Sequence, residues 1–379
     1  MSTDALSILY TFASPEALVA SMGETQPPVT ALRSIAILGA AAEGIRLAAL
    51  CAEQGIAIVA MLDDNPELQG HTVAGCVVRP VAEAAALDPS IPVVLSTHRL
   101  LPASERLQAL GIQNWTSFAY LQVALPDRFT PHMYYRDWAS DLVTNRDRYT
   151  ELRRILADDE SRRVFDAILG FRLTLDPKWL AGVVDAANEY YPPDVIRLGE
   201  DEVYIDGGAW DGDSIVAFKS RCRDRFKRAI SFEPSPDTHA KLIERVGKDP
   251  RVTCIAKGLA DRSDVLRFSA DGTRAAKFGE EGAVDVPVTS LDEVLNGSRA
   301  SFIKINIEGS EAAFLEGAKR TIARWRPKIA LCAYHYARDL WALPAQLRTI
   351  TEGYDYFLRQ HDGGTIQTVI YAVPAGEMR

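Results

Sequence analysis

Val203-Tyr-Ile-Asp206-Gly207-Gly208-Ala209-Trp210-Asp211-Gly212-Asp213-Ser214 is the stretch on which the reading of this chain turns. An apolar strand runs into a glycine-rich loop, and a helix-forming run follows. Glycines at such a point permit a tight turn and let a ligand approach the backbone. The start of the next helix offers free N–H groups and a partial positive charge. The pattern predicts a strand–loop–helix unit with Asp206, Gly207, Gly208, Ala209, Asp211, Gly212, Asp213 and Ser214 as candidate cofactor-binding residues. The spacing departs from G-x-G-x-x-G, so the loop alone leaves open a glycine turn required only by packing.

Two further segments support a ligand site. Ser231-Phe-Glu233-Pro234 closes the next strand, and Pro234 leaves Glu233 at its tip. In nucleotide-binding α/β folds an acid there accepts hydrogen bonds from ribose hydroxyls. Phe302-Ile-Lys304-Ile-Asn306-Ile-Glu308-Gly309-Ser310-Glu311 is the third. Strand alternation puts Lys304, Asn306 and Glu308 on one side and Ile303, Ile305 and Ile307 on the other. A polar row at the carboxyl end of a central parallel strand is where α/β proteins build ligand sites.

Outward from these segments, further strands are predicted at Ala229–Phe232, Val252–Ala256 and Ile329–Ala333. A late pair, Tyr356–Arg359 and Thr368–Ala372, reads as an antiparallel addition to a parallel sheet. Upstream, Ser34–Gly39, Ile56–Leu62 and Pro92–Ser96 read as strands, and Ala40–Glu53 as a helix. The reading divides the chain into an N-terminal helical segment (1–30), a Rossmann-like α/β module (31–125), a helical linker (126–198) and a second α/β module (199–379).

Composition narrows the classes. The chain has 379 residues, is 47% hydrophobic and carries a net charge of −9. That composition is globular, and the charge gives no global pull toward nucleic acid or an anionic membrane. Cys51, Cys76, Cys222, Cys254 and Cys332 are dispersed, with no C-x-x-C, so neither a zinc site nor a disulfide framework is expected. No basic leader with an apolar core opens the chain, and no apolar run is long enough to span a bilayer. A cytoplasmic location is expected. The basic run Lys219 to Arg228 reads as a solvated helix face.

The three segments together resemble the FkbM family of S-adenosylmethionine-dependent methyltransferases, over roughly Glu202 to Pro374. Thr289-Ser-Leu-Asp-Glu293 with Ile303–Glu311 carries the most specific part, and Tyr334-His335, Asp339-Leu-Trp341 and Leu358-Arg359 extend it. The resemblance implies a class I methyltransferase fold, S-adenosyl-L-methionine as cofactor, and O-methylation of a sugar or glycan-precursor hydroxyl. It places Glu233, Pro234, Gly258, Leu259 and Asn306 with the glycine loop on the cofactor side. Lys304, Tyr334, Asp339, Trp341 and Arg359 fall on the substrate side. Asn306 stands where the family usually has Asp, so no metal ligand is assigned and only weak magnesium or manganese dependence is expected.

A hydroxyl needs a base as it attacks a methyl group. His335 follows the strand Ile329–Ala333 on the same rim as Asn306 and Glu308, and is the candidate base. Glu308 is the alternative base or an oxygen ligand for a divalent ion, and a substrate-binding or packing role for His335 stays open.

In the first module, Gly39-Ala-Ala41-Ala-Glu-Gly44 keeps two glycines of a dinucleotide loop, but Ala41 crowds a pyrophosphate. Leu62-Asp63-Asp64-Asn-Pro66, Gly70 and Val73-Ala-Gly75 are similar to the N-terminal nucleotide-sugar-binding module of bacterial sugar acyltransferases. A nucleotide sugar is the partner this implies; scaffolding or homo-oligomer formation is the alternative. Two rival functions remain: an NAD-linked oxidoreductase using the first module, and a non-catalytic binding protein that retains the methyltransferase fold.

Overall fold

A computed structural model describes residues 4–29, 32–268 and 284–376. The chain falls into two compact units. One comprises Met1–Thr150, Arg163–Val184 and Asp362–Ile366; the other comprises Glu151–Arg162, Asp185–His361 and Gln367–Arg379. The stretch 126–198, expected as a linker, is divided between the two. Its charged run forms two helices, Arg146–Ile155 and Asp159–Thr174. They separate where Ala157 N donates to Tyr356 O (2.8 Å) and Asp158 accepts from Ser161 N (2.7 Å).

The first unit opens with the helices Ala5–Leu9 and Pro15–Gly23, the second capped by Ser14 with Pro15 in its first turn. Its sheet contains β1 (Ser34–Leu38), β2 (Ala57–Leu62), β3 (Thr72–Val73), β4 (Cys76–Arg79), β5 (Val93–Leu95) and β6 (Trp115–Ser117). The order is β3-β4-β2-β1-β5-β6, and all neighbours are parallel except the β3–β4 hairpin. The helix Ala42–Glu53 crosses over from β1 to β2. β3, β4 and β6 have two to four residues, too few to show periodicity in the sequence.

The second unit contains β7 (Val203–Gly207), β8 (Arg228–Phe232), β9 (Val252–Ile255), β10 (Gly258–Leu259), β11 (Asp264–Phe268), β12 (Val284–Thr289), β13 (Phe302–Ile305), β14 (Lys328–Cys332), β15 (Tyr354–Gln360) and β16 (Thr368–Pro374). Seven of these form a sheet in the order β15-β16-β14-β13-β7-β8-β9. β9, β8, β7, β13 and β14 are parallel; β16 runs antiparallel to both β14 and β15. Of the expected late pair, therefore, only β16 opposes the body of the sheet. β10, β12 and β11 form a separate three-stranded sheet.

The strand order reverses at β7. Chain progression goes to β8 and β9 on one side and to β13 and β14 on the other, so the crevice at the carboxyl ends of β7 and β13 is the topological switch point. Every residue of β7 and β13 is buried, as expected of central parallel strands.

Candidate active site

The switch point is built on a buried ion pair. Asp206, at the end of β7, is fully buried and accepts from Ser214 Oγ at 2.5 Å. Its other oxygen faces Lys304 Nζ at 3.1 Å. Lys304 also donates to Gly208 O (2.7 Å) and Gly207 O (3.3 Å), and its ammonium lies 5.0 Å from the centre of the Tyr190 ring. Burial alone would lower the lysine pKa. The surrounding negative groups, Asp206 first among them, together outweigh it and hold the pKa above the ordinary lysine value. Expected on the substrate side, Lys304 is instead sealed beneath the glycine loop, whose carbonyls it satisfies.

Gly208 has φ +73°, and a Cβ there would lie 1.8 Å from Asn306 O. That close approach ties the loop to the end of β13, where Asn306 N also donates to Gly207 O (3.1 Å). A Cβ at Gly207 would come within 3.0 Å of Leu259 Cδ1, which places Leu259 against the loop. Gly258 precedes it in β10, paired with Val288. Gly208 N and Ala209 N both donate to Phe232 O (3.0 Å each).

The acid at the end of β8 holds the loop from the other side. Glu233 Oε2 accepts from Trp210 N (3.0 Å); Oε1 accepts from Ser235 N (2.9 Å) and Thr238 Oγ1 (2.8 Å). Pro234 ends the strand as expected, and burial raises the Glu233 pKa despite these bonds. Gly212, at φ +90°, precedes the helix Asp213–Arg221. The first N–H groups of that helix are taken by the chain itself: Asp213 N donates to Asp211 (3.2 Å) and Ser214 N to Asp213 (2.7 Å). Asp211 also pairs with Arg245 at 2.7 Å.

Beyond Asn306 the chain turns sharply, with Glu308 at φ +54° and Gly309 at φ +94°. A non-glycine residue held in the left-handed region is strained, and such strain gathers at functional sites. Asn306 Nδ2 donates to Tyr190 OH (3.2 Å), and Tyr334 OH donates to Asn306 Oδ1 (3.1 Å). His335 is fully buried behind Glu308, whose side chain is 16% exposed. Its Nε2 lies 3.4 Å from Glu308 Oε2, and its Nδ1 lies 3.1 Å from Glu311 Oε1. Burial would lower the imidazole pKa, but the charges of Glu311 and Glu308 hold it well above the ordinary histidine value. Burial, with Glu311 nearby, pushes Asp339 up to about 7.

The structure thus gathers Asp206, the Gly207–Ser214 loop, Glu233, Leu259, Lys304, Asn306, Glu308, Tyr334, His335 and Asp339 around the carboxyl ends of β7, β8, β13 and β14. Arg359 is placed in β15, where its guanidinium bonds Asp158 (2.8 Å), Asp194 (2.5 Å), Ser161 (2.8 Å) and Leu358 O (2.8 Å). Trp341 lies half-buried in the helix Asp339–Arg348. Tyr190 and Glu311 carry no role in the sequence reading. Glu311 stands inside the motif read for other residues; Tyr190 is distant in sequence from the Asn306 it bonds, and no local pattern marks it.

The sheet order, the glycine loop and the strand-end acid define a class I methyltransferase fold. Residues 206–358 match the Methyltransferase FkbM domain, so the second unit carries a domain of that family. A hexuronic acid methyltransferase, AglP, from Haloferax volcanii is 31% identical over 134 residues, 33% of this chain. The chain spans 55% of that relative's length. The crystal structure of methyltransferase FkbM from Methylobacillus flagellatus matches over 97% of both chains with a TM-score of 0.74 at 23% identity, a likeness of fold that takes in both units. Among the described residues, no helix is long and apolar enough to cross a membrane.

Proposed function

We propose that the chain is an S-adenosylmethionine-dependent O-methyltransferase acting on a sugar hydroxyl. The observation that carries this reading is the charge of the cofactor loop. Lys304 balances the charge of Asp206, and Arg245 balances that of Asp211. Asp213 and Glu233 add negative charge beyond those pairs, and the first helix N–H groups are already bonded to the loop's own acids. Such a loop repels a pyrophosphate and suits a ribose attached to a cationic sulfonium, which weighs against NAD. Gly208 leaves room for a close ligand, and Glu233 Oε2, bonded among the described residues to Trp210 N, keeps acceptor capacity for a ribose hydroxyl.

Bound there, S-adenosylmethionine supplies an activated methyl group. The acceptor oxygen bonds the methyl carbon, the carbon–sulfur bond breaks with its electron pair on sulfur, and the hydroxyl proton needs a base. Glu308 is a carboxylate whose side chain stays partly exposed on this rim, so we assign it that proton, with fully buried His335 beside it and Tyr334 and Asp339 buried next to it. The protein's part is alignment and proton removal.

The named activity of the Haloferax relative supports an acceptor of the sugar class. A glycan precursor is the acceptor we favour, with the first unit as the place for a nucleotide sugar and for homo-oligomer contacts. Five free cysteines fit a cytoplasmic setting. Calorimetry of the full-length protein with S-adenosylmethionine and, separately, NAD tests the cofactor. Production of S-adenosylhomocysteine with a panel of glycosides and uronic acids tests the acceptor class. Binding of NAD alone would overturn the proposal.

A further inference from the structure

We propose that Glu311, His335 and Asp339 hold a divalent cation, with Glu308 orienting the histidine from behind. Each of the three offers one ligand atom, and these atoms lie within 4.8 Å of one another. All three residues are more than nine-tenths buried, with Glu311 1% and His335 0% exposed. One imidazole nitrogen and two carboxylates form a donor set suited to Mn2+ or Zn2+.

Three features separate this group from a chance gathering of acids. First, each carboxylate is anchored by a backbone N–H: Glu311 Oε1 by Ile307 N (2.8 Å) and Asp339 Oδ2 by Tyr336 N (2.8 Å). Second, Glu311 Oε2 is buried and accepts no hydrogen bond among the described residues. A buried, unmatched carboxylate oxygen is costly and calls for an ion or a proton. Third, the two nitrogens of His335 face different carboxylates. Nδ1 faces Glu311, and Nε2 faces Glu308 at 3.4 Å. A metal-bound histidine commonly presents its second nitrogen to a carboxylate, which fixes its tautomer and orientation.

The ligands come from three places: the first turn of the helix Glu311–Gly317, the bend after β14, and the first turn of the helix Asp339–Arg348. The site is closed, as structural metal sites are, and a cation there would pin the Glu308 turn. The idea does not depend on methyl transfer.

The test uses the full-length protein freed of metal by a chelator and titrated with MnCl2 or ZnCl2. It is followed by calorimetry and by the paramagnetic signal of free Mn2+. The expected result is one equivalent bound per chain. Glu311→Gln should abolish binding, and Glu308→Gln, which removes no ligand, should weaken it about 10–100-fold. Circular dichroism checks that the variants fold, and Asp339→Asn replaces Glu311→Gln if that variant does not. A folded wild-type protein that binds neither ion at millimolar concentration overturns the proposal, with protons alone balancing the cluster. Undiminished binding in a folded ligand variant overturns it too.

Discussion

In both units a glycine stands at or just past the end of the first strand of the sheet, and an acid directly follows the second. They differ in what holds the loop. In the first unit Asp63 accepts from Ala40 N and Asn65 N (2.8 Å each), and Ser96 Oγ lies 3.0 Å from Leu38 O and 2.8 Å from Gly39 O. The helix then packs directly on the loop, since a Cβ at Gly44 would lie 1.9 Å from Gly39 O. In the second unit the place of Ser96 is taken by the buried ammonium of Lys304, paired with buried Asp206. A hydroxyl secures a loop cheaply. A buried ion pair is a poor source of stability, so its presence beneath one loop and not the other supports the second unit as the place proposed for the chemistry.

The largest expected effect comes from breaking that pair. Lys304→Met leaves Asp206 buried without a cation and should cost about 3–5 kcal/mol, read as a lower denaturation midpoint. Ser96→Ala in the first unit removes one neutral hydrogen bond and should cost about 1 kcal/mol. Equal losses would erase the distinction.

Next come the two glycines. Gly208→Ala forces a side chain into the left-handed region and against Asn306 O. Strain of about 1–3 kcal/mol should weaken S-adenosylmethionine roughly 10–100-fold in calorimetry. Gly39→Ala is also strained, at φ +111°, but should leave that affinity unchanged and lower only stability. A loss of affinity in Gly39→Ala would show that the two loops act together.

Smaller effects should follow the strand-end acids. Acidification should weaken cofactor binding, because a protonated Glu233 stops accepting from a ribose hydroxyl. Burial raises this pKa, so the loss should begin at a higher pH than an ordinary glutamate would give. The affinity of Glu233→Gln should be lower at neutral pH and lack that acid limb. Asp63→Asn should change neither, and an unaltered acid limb in Glu233→Gln would assign the titration to another group.

Much of the second unit was legible because its signals are local. Glycines sit where φ is positive, Pro234 ends β8, and the apolar runs of β7, β13 and β14 match their burial on both faces. Contacts between distant segments were not legible. Tyr190 bonds Asn306 from a part of the chain with no glycine loop or strand alternation to mark it. Lys304 alternates correctly with Asn306, yet alternation gives a side and not a partner, so its place beneath the loop required the Gly208 carbonyl. The resemblance puts Arg359 on the substrate side; Asp158 and Asp194, which bond it, come from remote turns. The three cation ligands proposed above were hidden for the same reason, since they arise from the starts of two helices and a bend that only the sheet order brings together.

The central claim is that the second unit's charged loop holds S-adenosylmethionine through Glu233. Calorimetric titration of the full-length protein tests it most directly. The account predicts one molecule bound per chain, with affinity about tenfold or more lower in Glu233→Ala, the loss of charge-assisted hydrogen bonds worth about 1.5–3 kcal/mol each. Unchanged affinity in that variant, or no binding by the folded wild-type protein, would contradict it.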